Sequence, residues 1–110
     1  QLETTAAIAQ AEAIGMVDGV SGVFFGPADI AADMGLVGQP MNVAVWDVIK
    51  PAAQALIAKG VPVGTLVMDP NFAAGLLNDG FNFVACGSDT GLLAKASDAL
   101  LETVKGKIKE

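Results

Sequence analysis

Short apolar segments recur along this chain, and each is followed by a stretch of helical spacing. Four such strand–helix units are readable in order. A parallel sheet accommodates this alternation, because a crossover helix returns the chain to start each new strand in the same direction. The first strand is short, Gln1-Leu2-Glu3. Thr4 and Thr5 then cap a helix predicted to run through about Gly15, with Ile8, Ala11 and Ile14 on one face. The second strand is predicted over residues 22–26. A loop follows over residues 27–40, with a short helix near residues 29–34. A longer helix is expected over residues 42–59, with Val45, Ile49, Ala52, Ala53, Leu56 and Ile57 as its buried stripe. Pro51 falls inside it, which predicts a kink or a later start. The third strand spans residues 61–67. Asp69 and Pro70 form a strong start signal for the next helix, which ends at Gly80. The fourth strand spans residues 81–86. Ser88 and Asp89 then cap a last helix with Leu92, Leu93, Ala96, Leu100 and Val104 at helical spacing.

Composition narrows the function classes. Hydrophobic residues make up 53% of the 110 residues, high for a small free-standing domain and suited to strands covered on both faces or to a large interface. The formal net charge is −6, and every basic residue is a lysine. With no basic stripe outside the last helix, binding to nucleic acid is not expected, nor is attraction to anionic membranes. Lys105, Lys107 and Lys109 fit a solvated helix end, where cations favour the dipole. No apolar run reaches the ~18 residues a membrane-spanning helix needs. The single cysteine, Cys86, excludes an internal disulfide and suits a cytoplasmic location. With no histidine to activate it, Cys86 is expected to be a buried structural thiol. Trp46 and the phenylalanines are expected to fill the core or an interface.

The polar residues with chemical potential lie just past strand ends, where a parallel α/β sheet holds its ligand. Gln1 and Glu3 point the same way on their strand, with Leu2 turned toward the helices. An inward carboxylate is costly unless paired or metal-bound; a solvated chain end is the alternative. In Gly26-Pro27-Ala28-Asp29, the backbone N–H groups of Ala28 and Asp29 are placed to open a short helix and bind a carboxylate. The Asp29 side chain is either a hard oxygen ligand or an N-cap. Two carboxylates from neighbouring strand ends suit Mg²⁺ or Mn²⁺. Gly87-Ser88-Asp89-Thr90-Gly91 has the look of a phosphate loop. A glycine turn with an N-cap explains it better, since no lysine or arginine stands nearby.

Four stretches carry a resemblance: QLET at 1–4, VSGVFFGPADIAADMG at 20–35, VPVGTLVMDP at 61–70 and FNFVACGSDTGLLAKA at 81–96. Together they resemble the HpcH/HpaI aldolases, metal-dependent class II pyruvate aldolases. The resemblance implies a (β/α)8 barrel of which residues 1–110 form the C-terminal half, strands five to eight with their helices. It implies that Glu3 and Asp29 ligate a divalent metal, Mg²⁺, Mn²⁺ or Co²⁺. It implies that Gln1 and the backbone at Ala28 and Asp29 contact pyruvate, with Leu66 an apolar wall for the substrate. The expected partners are pyruvate, an aldehyde, the N-terminal half of the barrel on the same or a separate chain, and further copies in a homo-oligomer. The last helix is the candidate subunit interface. The family also uses a histidine base system and an arginine, and this chain contains neither residue type. The implied catalytic base and arginine therefore belong to the other half, and four strands of eight cannot close a barrel. The chain alone is expected to be inactive. A lyase acting on acyl-CoA thioesters and a non-catalytic half-barrel module are the competing expectations.

Overall fold

The computed structural model describes residues 1–108; Lys109 lies outside them. The order is α1 (Thr5–Ala9), α2 (Ala11–Gly15), β1 (Val23–Phe25), α3 (Pro27–Asp33), α4 (Val43–Ala58), β2 (Val63–Val67), α5 (Pro70–Asn78), β3 (Phe83–Cys86) and α6 (Asp89–Lys105). The strands form one parallel sheet in the order β1-β2-β3. Leu2 adds a parallel bridge to Phe25, so the first expected strand is present as a single paired residue.

Alternation along the strands sorts the two faces of the sheet. Val23, Phe25, Val63, Thr65 and Val67 are buried and pack toward the helices. The Thr65 hydroxyl has no solvent there and donates to Phe25 O at 3.0 Å. The opposite face carries Phe24, Gly64, Leu66 and Phe83. Phe24 and Phe83 flank Gly64 in register, with ring centroids 6.1 Å apart. A Cβ at Gly64 would lie 2.8 Å from Phe83 O, so only glycine fits between them.

Helix α4 makes the largest helical contribution to the core. Val45, Trp46, Ile49, Ala53 and Leu56 are buried, close to the expected stripe. The Asn42 side chain caps it by accepting from Ala44 N at 3.0 Å. Pro51 neither delays nor breaks the helix. It sits on the exposed side with Asp47, so the carbonyl that its missing N–H frees is on the solvent side.

Three expectations need correction. The first predicted helix is two short ones, because the chain turns at Gln10 between Ala9 and Ala11. Helix α3 begins earlier than expected, at Pro27, with Gly26 as its N-cap. Cys86 is exposed, not buried, since nothing among the described residues covers the end of β3. The last helix follows Ser88 as expected, and its side chain accepts from Gly91 N at 3.1 Å. That bond makes the Gly87–Gly91 loop a turn and cap. Leu92, Leu93, Ala96, Leu100 and Val104 all remain exposed, and α6 buries no residue. Among the described residues, no helix is long and apolar enough to cross a membrane.

Candidate functional site

The site grows from Gly26. Its N–H donates to Leu2 O at 3.0 Å, and Leu2 N–H donates to Phe24 O at 2.8 Å, so residues 1–3 lie directly beside the end of β1. Ile30 N–H donates to Gly26 O at 3.0 Å and starts α3 there. With Pro27 at the first helical position, Asp29 stands in the first turn and is not the cap. This removes the N-cap alternative for Asp29 and leaves its carboxylate free of the backbone.

A Cβ built on Gly26 would lie 3.1 Å from Asp29 Oδ2, 3.1 Å from Glu3 Cγ and 3.7 Å from Glu3 Oε1. The two carboxylate side chains thus converge on the position a Gly26 side chain would take, and glycine is what leaves room for both. Neither side chain makes a hydrogen bond or ion pair among the described residues, although ion pairs form elsewhere, at Lys50–Asp79 and Lys59–Glu12. No group of three or more His, Cys, Asp or Glu side chains suited to a metal occurs among the described residues. A pair of carboxylates is a donor set that fits a hard cation such as Mg²⁺ or Mn²⁺, which keeps several positions for water and substrate.

Both acids open onto a cavity of 380 Å³. The residues that the resemblance marks line it, namely Gln1, Glu3, Ala28, Asp29 and Leu66, whereas Ser88, a candidate by its place after the last strand, does not. By helix geometry, the first-turn N–H groups of Ala28 and Asp29 have no acceptor within α3. The remaining wall is largely apolar and includes Phe24, Met41 and Met68. Sequence reasoning missed these three. Two of them follow from alternation, since Phe24 lies two residues before Gly26 and Met68 two after Leu66. Met41 comes from the loop before α4, which is fixed by the Trp46 Nε1–H bond to Pro40 O at 2.9 Å.

One further carboxylate near this rim has partners. Asp33 Oδ2 accepts from Thr5 N–H at 2.8 Å and from the Thr5 hydroxyl at 2.7 Å. The Thr5 backbone N–H, and then its hydroxyl, hold the Asp33 carboxyl below the ordinary aspartate range, against a smaller opposing effect of desolvation.

A parallel α/β sheet with acids at the carboxyl ends of its strands defines an α/β ligand-binding scaffold. The family model for HpcH/HpaI aldolase/citrate lyase matches residues 1–96, and the chain belongs to that family. A relative from Rhizobium etli named pyruvate aldolase is 46% identical over 100 residues, which is 91% of this chain and 39% of the relative. A hydroxypyruvate/pyruvate aldolase from Cupriavidus necator is also 46% identical over 100 residues, covering 91% of this chain and 37% of the relative. The crystal structure of an HpcH/HpaI aldolase/citrate lyase family protein from Burkholderia cenocepacia superposes with a TM-score of 0.88 at 28% identity, covering 96% of this chain and 41% of that one. The chain therefore spans about two fifths of the length of the proteins it matches.

Proposed function

We propose that this chain is the cation-binding half of a metal-dependent pyruvate aldolase, contributing strands five to eight of a (β/α)8 barrel. The observation that carries the reading is the pair of unpartnered carboxylates, Glu3 and Asp29, that converge on the side-chain position of Gly26 at the mouth of one cavity. The names of the relatives support the carbon–carbon lyase class and pyruvate as a substrate.

Each residue then has a role. Glu3 and Asp29 would hold a divalent cation as oxygen ligands. The first-turn amides of Ala28 and Asp29 take the pyruvate carboxylate, and the Gln1 amide orients the keto acid beside them. Leu66, with Met68 and Phe24, forms the dry wall against which the aldehyde packs. When bound there, a divalent cation would supply Lewis-acid stabilisation of negative charge on the keto oxygen of pyruvate. Proton transfer needs a base, and the chain has no histidine to serve. The base and a cationic group for the enolate oxygen come from the first four strand–helix units of the barrel.

The open face of the sheet supports this incompleteness. The surface of the chain is 6896 Å². A compact monomer of this mass exposes about 5,700 Å². The excess of about 1,200 Å² is larger than the ~800 Å² that one partner contributes to a standard interface, and α6, which buries none of its residues, shares in it with the sheet face.

The test is exchange of the pyruvate methyl protons for deuterium, followed by NMR with Mn²⁺ or Mg²⁺. The chain alone is expected to show no exchange above the metal-only rate. Joined to a complementary barrel half it should exchange, and Glu3→Gln or Asp29→Asn should return it to background. Rapid exchange by the lone chain would refute the assignment of the base elsewhere. Silence from the joined halves would refute the aldolase reading.

A further inference from the structure

Glu3 lies between two anchors, and both belong to the segment that carries Asp29. On one side, Leu2 exchanges backbone hydrogen bonds with Phe24 and Gly26. On the other, Thr5 donates twice to Asp33 Oδ2, across 28 residues of sequence. Thr5 is two residues past Glu3, and Asp33 is one helical turn past Asp29 on α3. Leu2, Gly26, helix α3, Asp33 and Thr5 therefore close a loop of chain and hydrogen bonds that includes both acids. Thr5 and Asp33 are both exposed, so their contact contributes no apolar burial to the core. Its hydrogen bonds reach neither Glu3 nor Asp29.

We infer that Asp33 is a positioning residue: through Thr5 it fixes the backbone of Glu3 relative to Asp29 and so sets the separation of the two carboxylates at Gly26. This rests on the proposal that those two acids share a divalent cation. Two anionic groups that converge on one glycine repel each other until a cation arrives. The strand bridge holds Glu3 on its N-terminal side. On the other side α1 packs Ala7 and Ile8 against the core without, among the described residues, a hydrogen bond to α3 other than the Thr5–Asp33 pair. Without the tie to Asp33, the start of α1 is no longer fixed relative to α3, and the cation must then fix the Glu3 side chain against Asp29 as it binds. Partners that orient ligands in this way raise affinity by reducing what has to be organised on binding.

The probe is Mn²⁺ alone, titrated into the chain and followed by electron paramagnetic resonance, with thermal unfolding of the metal-free protein measured in parallel. Asp33→Ala should raise the Kd for Mn²⁺ roughly tenfold, the lower end of what outer-shell partners contribute. Asp33→Asn retains an oxygen able to accept both donors and should restore most of that affinity. Thr5→Val keeps the N–H but removes the hydroxyl and should weaken binding less than Asp33→Ala. Thr5→Ser should bind like the unaltered chain. The Thr5→Val, Asp33→Ala pair should bind no more weakly than Asp33→Ala alone. If Asp33→Ala fails to fold, the contrast between Thr5→Val and Thr5→Ser decides. An unchanged Kd in Asp33→Ala, with binding still abolished by Glu3→Gln, overturns the positioning role and leaves the cation site standing. Equal loss in Thr5→Ser and Thr5→Val overturns it as well. If the unaltered chain takes up no Mn²⁺, the cation reading itself fails and the inference with it.

Discussion

Gly26 is the residue on which two side chains converge, and its replacement separates fold from site. A methyl group there meets Asp29 Oδ2 and the Glu3 side chain at 3.1 Å, tighter than ordinary van der Waals contact. Both neighbours are exposed and free to rotate, so the chain should absorb Gly26→Ala with little change in its thermal midpoint. The same rotation splays the carboxylates, and Mn²⁺ affinity should fall. Equal affinity in Gly26→Ala would show that the glycine is not what admits both acids. Thr65 is the converse case, buried on the helix side of the sheet and not part of the cavity wall. Thr65→Val keeps the shape but loses the bond to Phe25 O, so denaturant unfolding should show a loss of about 1 kcal/mol. Asp33 adds a pH dependence. Its pKa is depressed in the folded chain, so its contribution to stability is complete above the ordinary aspartate range. That contribution is lost as pH falls through the lower folded value. The gap in thermal midpoint between the unaltered chain and Asp33→Ala should therefore close toward strongly acidic pH. A constant gap across the acid limb would rule out the charged form as the acceptor.

Helices and strands were legible in this sequence wherever a local signal set them. Asp69 accepts from Phe72 N–H, Asn42 from Ala44 N–H and Ser88 from Gly91 N–H, all at helix starts that the sequence marks. Asn42→Ala should accordingly destabilise the chain by about 1 kcal/mol, read from a chemical denaturation midpoint. Competition between two local signals was harder to read. Asp29 has the chemistry of a cap, yet proline is favoured at the first helical position, and Pro27 moved the start of α3 upstream. That shift is what leaves Asp29 available to the cavity. The break at Gln10 has no glycine or proline to announce it, so periodicity ran through it. Glu3 and Asp29 were legible as candidates because they follow strand ends, a position that parallel topology fixes in advance, whereas Gln1 and Leu66 were marked as substrate contacts only by the family resemblance. Burial was the least legible property, because it depends on what lies across from an element. Cys86 and the α6 stripe have apolar sequences, and neither meets a covering surface among the described residues.

The molecule's dimensions follow from that missing cover. The radius of gyration is 17.4 Å, against about 13 Å for a compact domain of this length. Its longest extent is 64 Å, more than twice the next at 28 Å. A 17-residue helix accounts for about 25 Å of length by itself, and α6 buries none of its residues. The helix is thus held by β3 and its cap rather than by packing, while Leu93 and Leu100 are 70% and 66% exposed. Isolated helices of about this length are marginal in water without an apolar surface to meet. Two consequences can be separated. If α6 finds its surface on another copy, sedimentation velocity will show species heavier than one 11.1 kDa chain. Replacing Leu93 and Leu100 by glutamine should then return it to a monomer with the sheet retained. If α6 stays unpaired, hydrogen exchange will show its amides unprotected while those of β2 remain slow. Self-association through α6 is the expected result, because the exposed stripe repeats at Leu93, Ala96, Leu100 and Val104 along one face. A protected α6 in a strictly monomeric chain would contradict it.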